Sequence, residues 1–356
     1  MLFNSLSYAV FLPVVAGLYF LLPYAWRWAW ILAASCVFYM YFIPKYVLIL
    51  FFLIAVDYCA GIWIEDAKSA KSKKTILTLS LLANVAILGF FKYFNFFNMN
   101  LSALAEFIGW RYPIENLSII LPIGLSFHTF QSMSYTIEVY RGAQKAERHL
   151  GIYALYVMYF PQLVAGPIER PQNLLHQLRA PHDFQYRRGV DGLKWILWGL
   201  VKKAVIADSL AKFVNLVYAA PASHSGPDLL LATVFFSFQI YCDFSGYSDI
   251  AIGSSKILGV DLMENFRAPY FARSVPEFWR RWHISLSTWF KDYVYFPLGG
   301  SRSTRALRMR NMLIVFLISG LWHGASWNFV VWGALHGLFM AAATAGAGAW
   351  KKLGDA

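Results

Sequence analysis

The chain has 356 residues, of which 58% are hydrophobic and 18% aromatic, and only 14% are charged, against about 25% in an ordinary soluble protein. So much apolar surface excludes a water-soluble globule and makes a bilayer the natural solvent. The formal net charge of +12 reads as lysine and arginine concentrated in cytoplasmic loops; no nucleic-acid motif accompanies it, and the basic residues lie between apolar runs.

The first run, MLFNSLSYAVFLPVVAGLYFLLP, lacks a basic leader and a small-x-small cleavage site, so it is expected to stay as a first span. Apolar runs then follow at 28–43, 46–64, 75–97, 117–139, 151–167, 190–218, 228–253, 276–298, 311–322 and 325–347, those at 190–218 and 276–298 being amphipathic. Several have the 17–25 residues that a crossing helix needs, which predicts about eight to ten spanning helices and two or more elements that do not cross. Without internal repeat or linker, 1–347 is expected to be a single membrane domain, followed by a basic tail over 348–356. Cys36, Cys59 and Cys242 are far apart, form no CxxC, and read as small buried hydrophobes.

Lys68, Lys71, Lys73 and Lys74 place the 65–74 loop in the cytoplasm and the N-terminus outside. Alternation then fails twice. Segment 156–171 has Arg141 and Arg148 before it and Arg170 and Arg179 at its end, with Pro161, Gly166 and Pro167 inside. Segment 276–298 is bracketed by Arg267, Arg273, Arg280 and Arg281 and by Arg302, Arg305, Arg308 and Arg310. Both are expected to be re-entrant, since broken backbone in lipid must be buried in protein.

Polar groups at membrane depth are costly and are candidate site residues by default: Asp57, His128, Gln131, Asp243, Asp249, His283, His323 and His336. In FSFQIYCDFSGYSDIAIG, Asp243 and Tyr247 are four apart; with Asp249 they read as a proton relay, a cation site, or polar glue at a helix break around Gly246. In FWRRWHISLSTWF, His283 and Ser287 would share one helix face, with Trp282, Trp289 and Phe290 as interfacial anchors. In GLWHGASWNFVVWGALHG, glycines flank His323, and an apolar site would keep its imidazole neutral and able to accept a hydroxyl proton. On one continuous helix His336 would point roughly 220° away, so His323 is expected to be chemical and His336 structural, hydrogen-bonded to a neighbouring helix.

Four stretches together, PQLVAGPIERP at 161–171, YCDFSGYSDIAIG at 241–253, NFRAPYFARSVPEFWRRWHISLSTWFKDYVYFPLGGSR at 265–302 and GLWHGASWNFVVWGALHG, resemble the membrane-bound O-acyltransferases, nearest the AlgI-like branch of alginate O-acetyltransferases. The resemblance runs from about residue 6 to 345. It implies an all-α integral membrane protein, a ring of tilted transmembrane helices with re-entrant segments around a central funnel. It assigns the essential histidine to His323 and a second polar site residue to His283. It implies acetyl-CoA or another acyl thioester as donor, no bound cofactor and no metal. It also implies membrane lipid around the chain, periplasmic acetyl-transfer partner proteins, a polysaccharide as final acceptor, and a place in the bacterial inner membrane.

The mechanism so implied makes His323 the general base toward a hydroxyl, while His283 orients the thioester or stabilises the oxyanion. Phosphates would pair with arginines among Arg267, Arg273, Arg280, Arg281, Arg302 and Arg305, unless these only set topology. Trp282, Ser287, Asp243 and Tyr247 complete the substrate-binding candidates. A transporter, a non-catalytic scaffold, and an acceptor other than alginate (peptidoglycan, teichoic acid or cellulose) remain open readings. Family members usually continue past WGALHG, so the chain is expected to be a short member or a fragment.

Overall fold

Serine and threonine start many of the helices. Ser5, Ser225, Ser274 and Thr304 each accept a backbone N–H of the first turn, which satisfies a donor that the helix cannot. In this computed structural model residues 1–118, 120–164 and 166–354 are described, with side chains as far as Gly346. The last two residues of the expected tail therefore lie outside the described residues. Among the described residues there is no strand.

The helices are α1 (Leu6–Leu21), α2 (Tyr24–Met40), α3 (Val47–Asp66), α4 (Ala70–Phe107), α5 (Leu125–Tyr140), α6 (Leu150–Met158), α7 (Pro171–Arg179), α8 (Tyr186–Leu200), α9 (Asp208–Ala219), α10 (Gly226–Ile257), α11 (Val275–Arg281), α12 (Ile284–Phe290), α13 (Arg305–His323) and α14 (Trp327–Gly354). Among the described residues four stretches are helical, long and apolar enough to cross a bilayer: Pro44–Asp66, Ala70–Phe107, Gly226–Ile257 and Trp327–Gly346. Other apolar runs form shorter helices, such as α1 and α2, or are only partly helical. Helix α6 ends at Met158, since Pro161 lacks an N–H and disfavours helical backbone before it. The stretch that follows is not helical, yet Tyr159, Phe160, Leu163, Ile168 and Glu169 are buried.

The chain groups into two compact units interleaved in sequence: Met1–Leu77 with Phe130–Glu264, and Thr78–Thr129 with Asn265–Ala356. In the first, Tyr153, Tyr156, Tyr159 and Phe160 fill the core beside Phe38. A π-helical turn, Val201–Ala207, follows α8 and packs on α10. No break occurs at Gly246: α10 is continuous, and the irregular turn lies on its neighbour instead. Gly246 serves close approach, since a Cβ there would stand 2.7 Å from the Gly199 carbonyl oxygen. The contact carries ion pairs, a buried one of Lys202 with Asp249 at 2.5 Å, and a half-exposed set of Lys203 with Asp243 at 2.5 Å and Asp208 at 2.8 Å.

Candidate active site

The second unit holds the histidines. Helix α13 stops at His323 because Gly324 turns extended, with φ −164° and ψ 147°. Ending a helix among apolar side chains exposes carbonyls that lipid cannot satisfy, and those of residues 319–322 are answered here. The Ser319 carbonyl accepts from His323 Nδ1 at 2.7 Å, and the Gly320 carbonyl from the Gly324 amide at 3.3 Å. From α4, the Tyr93 hydroxyl donates to the Leu321 carbonyl at 2.6 Å, and the Lys92 ammonium donates to the Trp322 carbonyl. Trp327 opens α14, which packs against α13 where Gly320 faces Gly333; a Cβ on Gly320 would come within 3.1 Å of the Gly333 Cα.

The break removes the premise that put the two histidines on opposite faces. His323 lies 5.0 Å from the Trp332 ring and His336 lies 4.6 Å from the same ring, centroid to centroid. Both imidazoles therefore belong to one aromatic cluster, with Trp279 against His336 at 5.1 Å. The expected hydrogen bond from His336 to a neighbouring helix is not seen at its Nδ1, which is buried without a partner.

Segment 276–298 is also interrupted. Helix α11 ends at Arg281 and α12 begins at Ile284, with His283 between them in left-handed backbone, φ 44° and ψ 55°. So His283 and Ser287 do not share one helix face: His283 caps α12, and Ser287 Oγ donates to the Trp282 carbonyl at 3.1 Å. A positive φ on a non-glycine residue is costly and persists where surroundings enforce it. Asn265, 1% exposed, is that enforcement. Its carbonyl oxygen accepts the Ser285 amide at 3.2 Å and the Ser285 hydroxyl at 3.0 Å, and lies 3.1 Å from His283 Nδ1. Its backbone carbonyl accepts the Ile284 amide at 2.9 Å.

These contacts fix tautomers. A backbone N–H can only donate, so the oxygen end of the Asn265 amide faces Ser285, and the His283 nitrogen beside that oxygen must carry the proton. The Ser319 carbonyl imposes the same on His323. In the neutral form each ring keeps its hydrogen on Nδ1 and presents a bare Nε2, the arrangement that accepts a proton.

The same unit holds a cavity of about 480 Å³, which neither histidine lines but which Ile284, the residue after His283, does. Its walls include Trp279, Ile284, Ser287 and Phe316, with Ser319 one turn before His323, and the exposed cations Arg280 and Lys291 border it. Arg280 and Ser287 are thus brought to one cavity. Trp282 lies in a ring cluster with Phe266, Tyr270 and Phe278. Arg281 is committed to Glu277 at 2.6 Å; the Arg273 amide and that guanidinium hold the Glu277 carboxyl below its usual range. Arg305 donates to the Ala345 carbonyl at 2.9 Å. His128 is buried in the same unit. Asp243 and Tyr247 belong to the other unit, where the Lys203 ammonium pairs with the first and lies 5.5 Å from the ring centre of the second. Asp57 and Gln131 are also there, Gln131 donating to the Tyr156 carbonyl. Sequence reasoning missed Asn265, Lys92, Tyr93 and Trp332. For Lys92 a signal existed, a single cation inside the apolar run 75–97.

An all-helical membrane protein with two imidazoles set among aromatic rings, each with its proton held on Nδ1, has the makings of a membrane-embedded transferase. The chain belongs to the membrane-bound O-acyltransferase family, whose family model matches residues 68–346. It is 40% identical over 93% of its length to a protein of Azotobacter vinelandii described as "Probable alginate O-acetylase AlgI", covering 66% of that protein. It is 37% identical over 99% of its length to the peptidoglycan O-acetyltransferase of Helicobacter pylori, covering 72% of it. To the teichoic acid D-alanyltransferase of Bacillus subtilis it is 27% identical over 64% of its length, covering 60%. The chain spans about two thirds of the length of the alginate O-acetylase relatives it matches.

Proposed function

We propose that this protein moves an acetyl group from a cytoplasmic thioester, acetyl-CoA in the simplest case, to a hydroxyl destined for an extracytoplasmic polysaccharide, with alginate the first candidate. The observation that carries the reading is the pair of imidazoles, buried His283 and partly buried His323, each with its proton held on Nδ1, so that Nε2 is the unprotonated nitrogen of the neutral ring. His323 Nε2 takes the hydroxyl proton, the oxygen attacks the thioester carbon, and the thiolate leaves with that proton. General-base help of this kind contributes about 10²–10⁴-fold. His283, whose N–H is spent on Asn265, accepts a hydrogen bond from substrate; of its two expected roles this supports orientation over oxyanion stabilisation.

The cavity of about 480 Å³ suits the slender apolar arm of a thioester, with Arg280 and Lys291 placed for its phosphates. Arg267, Arg273 and Arg302 are further candidates for that duty. The buried non-helical stretch after α6 and the divided helix at His283 support re-entrant segments at 156–171 and 276–298. The setting is the bacterial inner membrane, with periplasmic proteins carrying the acetyl group onward. A second acceptor, peptidoglycan, is favoured by the Helicobacter relative, of which the chain covers the larger share.

The test is transfer of label from radiolabelled acetyl-CoA in inside-out vesicles. His323→Ala should lose transfer by at least about 10²-fold while inserting and eluting like the wild type. Full activity in that variant would overturn the reading.

A further inference from the structure

A tetrahedral intermediate formed at His323 carries a negative oxygen; neutral His283 spends its only N–H on Asn265, and the proton that His323 has by then accepted at Nε2 is committed to the departing sulfur. We propose that Lys92 is the missing electrophile: its ammonium binds the carbonyl oxygen of the acyl thioester and holds the oxyanion. The proposal rests on the acyl-transfer reading above and adds to it a third catalytic residue, from a different helix.

Three observations carry it. Lys92 donates to the Trp322 carbonyl, the peptide that precedes His323. Its other contacts are Ser126 Oγ at 3.4 Å and the rings of Trp322 and Tyr93, whose centroids are 5.5 Å and 6.0 Å away. Two of its three protons are thereby directed, and one is left for a ligand. Second, Lys92 has no carboxylate partner among the described residues, although it lies within the membrane-length helix Ala70–Phe107. Lys202 and Lys203, also held in helix packing, are each paired with aspartate. An unpaired cation at membrane depth is costly and marks function. Third, capping alone does not require the charge. The adjacent Leu321 carbonyl is satisfied by the neutral Tyr93 hydroxyl.

The step balances. The acceptor O–H proton moves to His323 Nε2 as the new C–O bond forms, and the carbonyl π pair becomes the oxyanion facing Lys92. Collapse breaks the C–S bond, and the thiolate takes the proton back from Nε2. Donors preorganised for a developing oxyanion typically contribute about 10²–10³-fold to kcat.

Two measurements test this. In the vesicle assay, Lys92→Gln keeps an N–H for the Trp322 carbonyl but no charge. It should lose about 10²–10³-fold in kcat with the donor KM little changed, whereas Lys92→Arg should retain far more. Equal rates for Gln and wild type would make Lys92 a helix cap and overturn the proposal. The wild-type protein supplies the second measurement, which no folding defect can obscure. Carboxymethyl-CoA, with a carboxylate where the oxyanion forms, should bind at least tenfold more tightly than neutral acetonyl-CoA; equal affinity would overturn the proposal. Wild type that transfers no label and binds neither analogue would instead overturn the acyl-transfer reading on which it rests.

Discussion

At the scale of single residues, the site is governed by which atoms already hold hydrogens. Asn265 is the centre of this control, because one amide oxygen serves the Ser285 amide, the Ser285 hydroxyl and His283 Nδ1. Asn265→Leu keeps the approximate shape and removes the acceptor. Buried donors left without partners cost about 1–3 kcal/mol, and loss of an orienting partner typically costs about 10–100-fold in function. We expect a lower melting temperature in detergent and a transfer rate reduced within that range. A variant with wild-type stability and rate would show that His283 needs no orientation from Asn265. The histidines were visible in the sequence as imidazoles in an apolar context. Asn265 was not, being one asparagine in a loop eighteen positions before the ring it orients.

At the scale of elements, the active geometry depends on helices that stop. Helix α13 ends at His323, α11 ends two residues before His283, and α14 returns so that Trp332 meets His323. The return relies on small residues, since a Cβ on Gly333 would run into the Phe316 carbonyl and stand 3.3 Å from the Gly320 Cα. Gly333→Leu should force α13 and α14 apart at a cost of about 1–3 kcal/mol. It should also lower transfer although both histidines remain. Thermal unfolding in detergent and the vesicle assay measure the two effects; unchanged values would show that close approach is dispensable. The glycines at 320 and 324 were readable as a break or a close contact, and both occur. That the break would bring His336 to the same ring as His323 was not readable, because helical angle arithmetic holds only along an unbroken helix.

Across the molecule, charge is disposed to satisfy buried groups as well as to set topology. Glu147 with Arg179, Glu65 and Asp66 with Arg148, and the lysine–aspartate pairs on α10 absorb many charges in the first unit. Glu169 lies between α6 and α7, outside the membrane-length helices, and is 1% exposed. Burial pushes its carboxyl up to about 7. A raised carboxyl binds its proton more tightly in the folded state than in the unfolded one. Its stabilising contribution is therefore full below the unfolded value near 4.5 and is lost as pH rises through about 7. Wild-type melting temperature should fall from pH 5 toward pH 8 more steeply than that of Glu169→Gln; parallel curves would remove Glu169 as the source.

Composition and apolar run length were enough to determine a helical membrane protein, because the cost of unpaired backbone in lipid allows few alternatives. The ordered motifs marked out the family, and the two histidines proposed for its site stood out because imidazoles are expensive in so apolar a context. The division of 276–298 at His283 and the partners of Asp243 and Asp249 were decided by tertiary structure. So were the roles of Asn265 and Lys92. A hydrogen bond between residues far apart in the chain leaves no periodic trace. Whether a helix continues through a glycine depends on what waits to receive its last carbonyls, and here that was Lys92 and Tyr93, more than two hundred residues earlier.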